Sequence, residues 1–315
     1  MIKTPICELF GIEYPIVQGG MAWIADATLA AAVSNGGGLG LISAMNADGA
    51  HLRSEIKRVR ELTDKPFGVN IMLMSPYVDE VAGIVIEERV PVVTTGAGNP
   101  SKYMEDWIAA GITVVPVVPS TAIAKLVERK GAAAVIAEGG EAGGHVGEIT
   151  TMVLIPQICD AVEIPVIAAG GIGDGRGVAA AFMLGACGVQ LGTRFLVAEE
   201  CGVHRVYKDK ILKAKDIDTM TTGKRLGHPV RSLKTPFARE FARMEYDSSV
   251  SNEELEAFGG GSLRAAAVLG DAKNGSFMSG QVAALVNKEQ PAAEMIAELF
   301  AEAEIVLSGG MKWVK

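Results

Sequence analysis

The chain has 315 residues, of which 49% are hydrophobic and 21% charged, so it can bury a large core and is globular rather than disordered. Its formal net charge of −8 argues against general binding of nucleic acid. No apolar run approaches the roughly 18 residues of a membrane span, and charged residues near the start break any signal-peptide core, so we expect a cytoplasmic protein that binds neither nucleic acid nor membrane.

Strand and helix signals alternate along the first two thirds of the chain. β-Branched runs predict eight strands at residues 14–18, 40–43, 67–73, 91–95, 113–118, 133–138, 164–169 and 189–196. Helices are predicted at residues 26–34, 49–62, 78–88, 101–110, 122–130, from about 152, and at 175–184. This alternation indicates parallel strands with right-handed crossovers. Eight repeats fit an α/β fold of the closed (β/α)8 TIM-barrel type better than an open sheet.

The alternation stops after residue 200, where the sequence becomes charged and helical in character. We expect residues 1–200 and 271–315 to form the barrel, and residues 201–270 to form a smaller, mostly helical lid over its mouth. The segment 275–281 is expected to open the last helix. By length alone, one domain with an insertion fits as well as two domains.

The turns after strands 7 and 8 carry the strongest functional signal. Strand 7 runs into Gly170 and Gly171, and the strand 8 segment contains Gly192 and Thr193. In TIM barrels these two loops commonly form a phosphate site, and glycine lets backbone N–H groups approach the phosphate oxygens. The sequence therefore predicts a barrel that holds a phosphorylated cofactor, and flavin mononucleotide (FMN) suits a single phosphate clamp.

A glycine-rich loop at residues 138–147 follows strand 6 and carries His145. Histidine exchanges a proton near neutral pH, and barrel active sites lie at this end of the strands. We favour a catalytic histidine over a loop histidine bonded to its own backbone. His51 lies on an outer helix, and His204 and His228 lie in the charged insertion, so they have less support.

Two more segments favour a flat ligand at the same face. The turn Gly19-Gly20 with Ala22 after strand 1 would let a ring lie against the backbone, although an ordinary tight turn has the same sequence. Asn70 stands within the apolar strand 3, and a buried amide needs partners. Asn70 is therefore either a ligand-facing carboxamide or a core amide bonded to neighbouring loops.

Other common site motifs are missing from the sequence. It has no GxGxxG with a following acidic residue, no P-loop, no HExxH and no GxSxG. The four cysteines form no CxxC pair, which indicates reduced thiols rather than a zinc site or a disulfide framework. We therefore expect no metal-ligand cluster.

The acidic chain contains one basic window. Residues 201–240 hold ten Lys and Arg residues against four Asp and Glu residues, a local charge of +6. Such a window suits an acidic partner or a phosphate-bearing ligand, and a solvated helical face explains it equally well.

Taken in order, these motifs resemble those of the nitronate monooxygenase-like flavin barrels. Within that superfamily the chain is most similar to the FMN-dependent enoyl-acyl-carrier-protein reductases of the FabK type. The resemblance covers nearly the whole chain, and its motifs lie at residues 18–23, 65–72, 94–103, 138–147, 169–172, 190–193 and 278–281. They are less specific for reductase over monooxygenase, because both share the flavin site and the Gly-Gly-His loop.

The resemblance implies that His145 is catalytic and that Gly171, with the amides of Gly192 and Thr193, holds the phosphate. The FMN-binding positions that it implies are Gly20, Met21, Ala22, Asn70, Glu138, Gly143, Gly144, Gly170, Gly171, Gln190, Leu191, Gly192, Thr193, Met278 and Gln281. Many monooxygenase-type members carry glutamine at the place of Glu138. A carboxylate there changes the charge near a flavin or a bound ion, and the resemblance adds a monovalent cation as a further cofactor.

The implied reaction belongs to fatty-acid synthesis. NADH or NADPH reduces the flavin, and the reduced flavin reduces a trans-2-enoyl thioester carried on acyl carrier protein, which is acidic and would fit the basic window. A homodimer is expected. Two alternatives stay open: a nitronate monooxygenase that uses FMN and O2, and a non-catalytic barrel that binds a phosphorylated ligand.

Overall fold

The computed structural model of the protein describes residues 2–44 and 48–309. Its strands are β1 (Ile16–Gln18), β2 (Gly40–Ser43), β3 (Phe67–Met72), β4 (Val92–Gly96), β5 (Thr113–Val118), β6 (Val135–Glu138), β7 (Gly144–His145), β8 (Val166–Ala169), β9 (Gly188–Leu191), β10 (Thr219–Thr222) and β11 (Val230–Leu233). Its α-helices are α1 (Pro5–Phe10), α2 (Ala27–Asn35), α3 (Gly49–Leu62), α4 (Val78–Glu87), α5 (Ser101–Ala109), α6 (Thr121–Arg129), α7 (Thr151–Cys159), α8 (Gly175–Met183), α9 (Arg205–Leu212), α10 (Pro236–Tyr246), α11 (Asn252–Gly259), α12 (Ser262–Ala267) and α13 (Ala292–Gly309).

Eight parallel strands form the barrel. They are hydrogen-bonded in the order β1-β9-β8-β6-β5-β4-β3-β2. A parallel bridge between Val17 and Leu39 joins the two ends of this order. In that bridge, the Gln18 amide donates to the Leu39 carbonyl over 3.0 Å, and the Leu39 amide donates to the Ile16 carbonyl over 2.9 Å. The predicted (β/α)8 TIM barrel is confirmed.

The barrel interior is filled by apolar side chains from the strands. Leu41, Val115, Ile136 and Ile167 belong to one buried cluster, which also contains Ile6 of α1. Thr4, which precedes α1, donates its hydroxyl to the carbonyl of Cys187, the residue before β9. Helix α1 therefore closes the end of the barrel where the strands begin, and the opposite end is left for ligands.

The eighth strand of the barrel, β9, is shorter than we predicted. Strand β9 ends at Leu191, and the backbone leaves the extended region at Gly192, with φ −109° and ψ −67°. The chain then forms a 3-10 helix at Thr193–Val197, so the apolar residues predicted to extend the strand pack as helix instead. This shortening places Thr193 at the carboxyl end of the barrel.

The expected last helix is also misplaced. Residues 275–280 are not helical, and Met278 forms an antiparallel bridge with Ser232. A 3-10 helix at Gln281–Leu285 follows, and the closing helix α13 begins only at Ala292. Glycines at 275 and 280 and proline at 291 explain why regular helix starts so late.

Residues 201–270 contain the four helices α9 to α12 and a pair of strands that the sequence pattern did not reveal. Strands β10 and β11 pair antiparallel, and β11 pairs antiparallel with β7 of the His145 loop. The three strands form a small sheet outside the barrel. Residues 201–270 are thus hydrogen-bonded directly to the predicted catalytic loop.

The described part of the chain contains neither a membrane-spanning helix nor a cluster of metal-binding side chains. No helix in residues 2–44 and 48–309 is long and apolar enough to span a bilayer. Within the same residues, no group of three or more His, Cys, Asp or Glu side chains is arranged to hold a metal ion.

Candidate active site

A cavity of about 230 Å³ lies at the carboxyl ends of the barrel strands. The turns that follow the strands and the chain around Met278 surround it. The predicted site residues that line it are His145, Gly20, Met21, Ala22, Asn70, Glu138, Gly143, Gly144, Gly170, Gly171, Gln190, Leu191, Gly192, Thr193 and Met278. Gln281 is exposed and does not line it, whereas its neighbours Gly280 and Val282 do.

Some lining residues were missed by the sequence analysis. Glu141 lies in the glycine-rich loop and could have been suspected from its position there. Gly96 and Ala97 follow β4, and Ala97 has a left-handed φ of +54°, which is uncommon outside glycine. Leu263 comes from α12, and no local signal connects that helix with the barrel.

The turn after β8 is shaped by two left-handed glycines. Gly170 has φ +92° and Gly171 has φ +72°, and a Cβ on Gly170 would lie 2.7 Å from the Gly139 carbonyl oxygen. Helix α8 starts just beyond this turn, with the Asp174 side chain accepting from the Gly177 amide as its cap. Glycine backbone in front of a helix start is the arrangement that accepts phosphate groups.

The turn after β9 lies beside it, because β8 and β9 are hydrogen-bonded neighbours. Thr193 opens the 3-10 helix, and its hydroxyl oxygen accepts from the Gly280 amide over 2.9 Å. The predicted phosphate positions, Gly171, Gly192 and Thr193, thus meet at one side of the cavity.

The His145 loop is fixed by hydrogen bonds on several sides. The Glu141 carboxylate accepts from the amide and the hydroxyl of Thr151, each over 2.9 Å. The Glu141 carbonyl accepts from the Gln281 amide over 2.9 Å. From the insertion, the Arg231 guanidinium donates to the Gly140 carbonyl over 2.9 Å. The loop is therefore rigidly placed over the cavity.

Close packing also fixes this loop. A Cβ added at Gly143 would lie 2.6 Å from the Ser279 carbonyl carbon and 2.7 Å from the Gly280 nitrogen. Because those are backbone atoms, no side chain can be accommodated at residue 143 without moving the chain around Met278.

His145 is half-buried and pairs with Val230 across β7 and β11. Burial, together with the charge of His228, lowers the pKa of its imidazole below the ordinary 6.5. The ring is therefore mostly neutral at pH 7, with one N–H donor and one acceptor nitrogen. Such a ring can donate a hydrogen bond to an oxygen that gains negative charge.

Glu138 ends β6 and reaches the same cavity. Burial raises the pKa of its carboxyl to about 7, because the low-polarity surroundings disfavour the charged form. Both protonation states are accessible at neutral pH, so this group can act as a hydrogen-bond donor or as a carboxylate. A strongly perturbed carboxyl in a cleft is typical of functional sites.

Asn70 and Gln190 bring two buried carboxamides to the cavity. Asn70 is bonded at one end to the Thr94 hydroxyl, over 2.9 Å to its Oδ1. Asn70 is therefore anchored to β4 and also lines the cavity, and its contact with a ligand stays a prediction.

Fold and cavity together define a class of protein. The chain is a TIM barrel with a glycine-lined, partly polar cavity at the carboxyl ends of its strands, where barrel enzymes carry their active sites. The nitronate monooxygenase family model matches residues 3–84 and 75–302. The chain belongs to the nitronate monooxygenase family, a family of oxidoreductases.

Individual relatives span several activities. The solved structure of FabK from Thermotoga maritima matches with a TM-score of 0.97 and 50% identity over 100% of both chains. That of nitroalkane oxidase from Streptomyces ansochromogenes matches with a TM-score of 0.85 and 30% identity, over 96% of this chain and 99% of that one.

A curated relative acts on a coenzyme A thioester according to its name. It is the (3aS,4S,5R,7aS)-5-hydroxy-7a-methyl-1-oxo-octahydro-1H-indene-4-carboxyl-CoA dehydrogenase of Rhodococcus jostii RHA1, 41% identical over 234 residues. The match covers 74% of this chain and 66% of the relative, so the chain spans about two thirds of that protein's length.

Proposed function

We propose that the chain is an FMN-dependent enoyl-thioester reductase that uses NADH or NADPH to reduce trans-2-enoyl-acyl carrier protein. The match to FabK is the observation that carries the proposal. It extends over the full length of both chains at 50% identity, whereas the match to nitroalkane oxidase has 30% identity. The full-length match includes residues 201–280, which touch the cavity and the His145 loop.

The residues around the cavity fit FMN. Gly96 lines it, and a Cβ there would meet nothing within 4 Å, so the wall leaves room for a flat ring. The glycine turns at 170–171 and 192–193 suit the phosphate. The carboxamides of Asn70 and Gln190 can bond to the ring's nitrogen and oxygen atoms. These residues would hold the cofactor.

When bound, FMN would take a hydride from NADH or NADPH and pass it to Cβ of the enoyl thioester. Negative charge then develops on the thioester oxygen. The neutral His145 imidazole donates a hydrogen bond to that oxygen, and its loop, tied through Glu141, keeps the ring in place. The α-carbon takes a proton, which leaves a saturated acyl thioester.

Residues 201–270 serve as the lid in this proposal. Leu263 of α12 lines the cavity, and β11 is bonded to the His145 loop. Apolar lining from Leu263, Met278 and Val282 would face the acyl chain. A lid here would exclude water from the reduced flavin and the enoyl group.

Acyl carrier protein is the proposed partner, but some of the ten basic residues in the window 201–240 are already bonded within the protein. Arg205 and Lys208 are paired with Glu289. Arg225 donates to the Asn252 side chain and to three backbone carbonyls, so it holds the insertion together. Lys224, exposed on the β10–β11 turn, is a better candidate for contact with an acidic carrier. The homodimer and the monovalent cation stay predictions.

A nitronate monooxygenase is the second candidate. The family name and the match to nitroalkane oxidase favour it. In that case reduced flavin would react with O2 and a nitronate, and no enoyl thioester would be needed.

Anaerobic stopped-flow separates the two candidates. The purified protein is expected to be yellow, to release FMN on denaturation, to be bleached by NADH or NADPH, and to regain its colour with crotonyl thioester. Reoxidation by O2 and nitronate but not by crotonyl thioester would replace the reductase with the monooxygenase. If the protein is colourless and does not bind added FMN, the flavin proposal is refuted. The remaining hypothesis is then a barrel that binds another phosphorylated ligand.

A further inference from the structure

A second histidine, His228, lies two residues before β11, the strand that pairs with the His145 loop. His145 is opposite Val230, and the Val146 amide donates to the Pro229 carbonyl over 3.0 Å. Extending this register beyond the last pair of the ladder would set His228 opposite Gly147. In that register the two histidines would be diagonal neighbours on one face, with Cα atoms about 7–8 Å apart.

The surroundings leave room for the two rings to approach. Gly147, opposite His228, has no side chain, and a Cβ there would meet only the Pro119 Cβ, at 3.4 Å. Electrostatics agree with this placement, because after burial the charge of His228 is the second cause that lowers the pKa of His145. His145 is half-buried, whereas His228 is exposed to solvent.

The turn that carries His228 has a defined shape. Gly223 and Gly227 have left-handed φ values of +81° and +77°. The buried Glu245 carboxylate accepts from the amides of Gly223 and Arg225, over 3.0 and 2.8 Å. The His228 amide donates to the Gly223 carbonyl over 3.2 Å. The structure therefore holds an exposed imidazole beside the predicted catalytic one.

We propose that His228 is a positioning residue that supplies protons to His145, an inference that rests on the proposed reductase function. His228 is exposed and exchanges protons with solvent, so a proton taken up by His228 can pass inward to the neighbouring His145. Negative charge on the thioester oxygen draws this proton to His145 and then to the α-carbon. Bound FMN would supply the hydride at Cβ, and solvent returns the proton to His228.

Several charged groups near the pair are bonded elsewhere, whereas Lys224 is exposed on the turn that carries His228. Arg231 is bonded to the Gly140 carbonyl, Glu141 to Thr151, and Glu245 to the base of the turn. Lys224 and Arg225 lie on the same turn as His228, and Arg225 is bonded to Asn252. Glu138 titrates near pH 7 in the same cavity, so a test has to follow each histidine separately.

The first test is an NMR titration of ¹⁵N-labelled histidines in the flavin-bound protein. In His228→Gln, the pKa of His145 is expected to rise by about half a unit to one unit, because a neighbouring positive charge is removed. His51→Gln, on the outer helix α3, is the matched control and is expected to leave His145 unchanged. An unchanged His145 titration in His228→Gln would overturn the coupling, whatever the substrate.

The second test is anaerobic single turnover. We expect His228→Gln to keep its flavin and to be reduced by NADH or NADPH within about twofold of the wild-type rate. Reoxidation by crotonyl thioester is expected to slow about 10-fold or more, increasingly so at high pH, and to recover partly with added imidazole. If His228→Gln is reoxidised at the wild-type rate throughout pH 6 to 9, the proton-supply role is overturned. Wild-type protein that fails to react with crotonyl thioester would instead refute the reductase function and this role with it, while the titration still decides the coupling.

Discussion

Replacement of Glu138 by glutamine tests the electrostatics of the cavity. Glu138 is the last residue of β6 and lies at the barrel mouth. Burial raises the pKa of its carboxyl from 4.5 to about 7. Glutamine has nearly the same shape and no charge. The substitution therefore removes the cost of burying a carboxylate and leaves the packing intact.

The size of the effect follows from the pKa. One pKa unit corresponds to about 1.4 kcal/mol, so a rise from 4.5 to about 7 costs about 3 kcal/mol of folding free energy once the carboxyl is ionised in both states. The folded protein retains the proton to higher pH than the unfolded chain. The neutral carboxyl therefore makes the folded protein more stable than the ionised carboxyl does. This gain in stability is fully present below pH 4.5 and is lost as the pH rises to about 7.

Urea unfolding of the flavin-free protein measures this effect. Glu138→Gln is expected to exceed the wild-type free energy of unfolding by about 3 kcal/mol at pH 8, and by only about 1 kcal/mol at pH 5. Glu105→Gln, on the exposed face of α5, serves as control and is expected to show no such pH dependence. An equal difference at both pH values would refute the raised pKa.

Three further substitutions test the site. Gly171→Val is expected to lose bound FMN, because its φ of +72° strains any side chain and the valine would occupy the phosphate position. Gly83→Val on α4 is expected to retain FMN, and released flavin is measured by absorbance. His145→Ala should keep its flavin and its reduction by NADH or NADPH but slow reoxidation by enoyl thioester about 10²–10⁴-fold in anaerobic single turnover; a wild-type rate would make His145 a structural loop residue. Lys224→Glu should raise KM for enoyl-acyl carrier protein in a salt-dependent way and spare a short thioester. Lys65→Glu, before β3 at the opposite end of the barrel, should affect neither, and equal effects of Lys224→Glu on both substrates would remove this contact.

The barrel could be predicted because its signals are local. The bounds of β2, α3 and β5 agree with the sequence prediction to the residue, since β-branched runs and helical periodicity are written within each element. The glycine turns and the His145 loop were placed at the cavity by the same reasoning, because the carboxyl ends of all barrel strands meet at one face. The full set of cofactor positions came from the family resemblance.

The outer sheet could not be predicted, because it depends on pairing between distant residues. Strand β7 has only two residues, and its partner β11 begins at Val230, more than 80 residues along the chain. Each strand alone is too short and too polar to give a period-two signal. The contact of Leu263 with the cavity and the close approach of Gly143 to Ser279 likewise join residues that are more than 100 positions apart in the sequence.

The most direct test of the proposed function is the balance of a complete turnover. Purified protein, NADH or NADPH, and crotonyl thioester are incubated in air, and nicotinamide consumed is compared with butyryl thioester formed by mass spectrometry. The enoyl-thioester reductase account predicts one butyryl thioester for each nicotinamide oxidised, with the same ratio under nitrogen. Nicotinamide consumption without butyryl thioester, or consumption that requires O2, would contradict it.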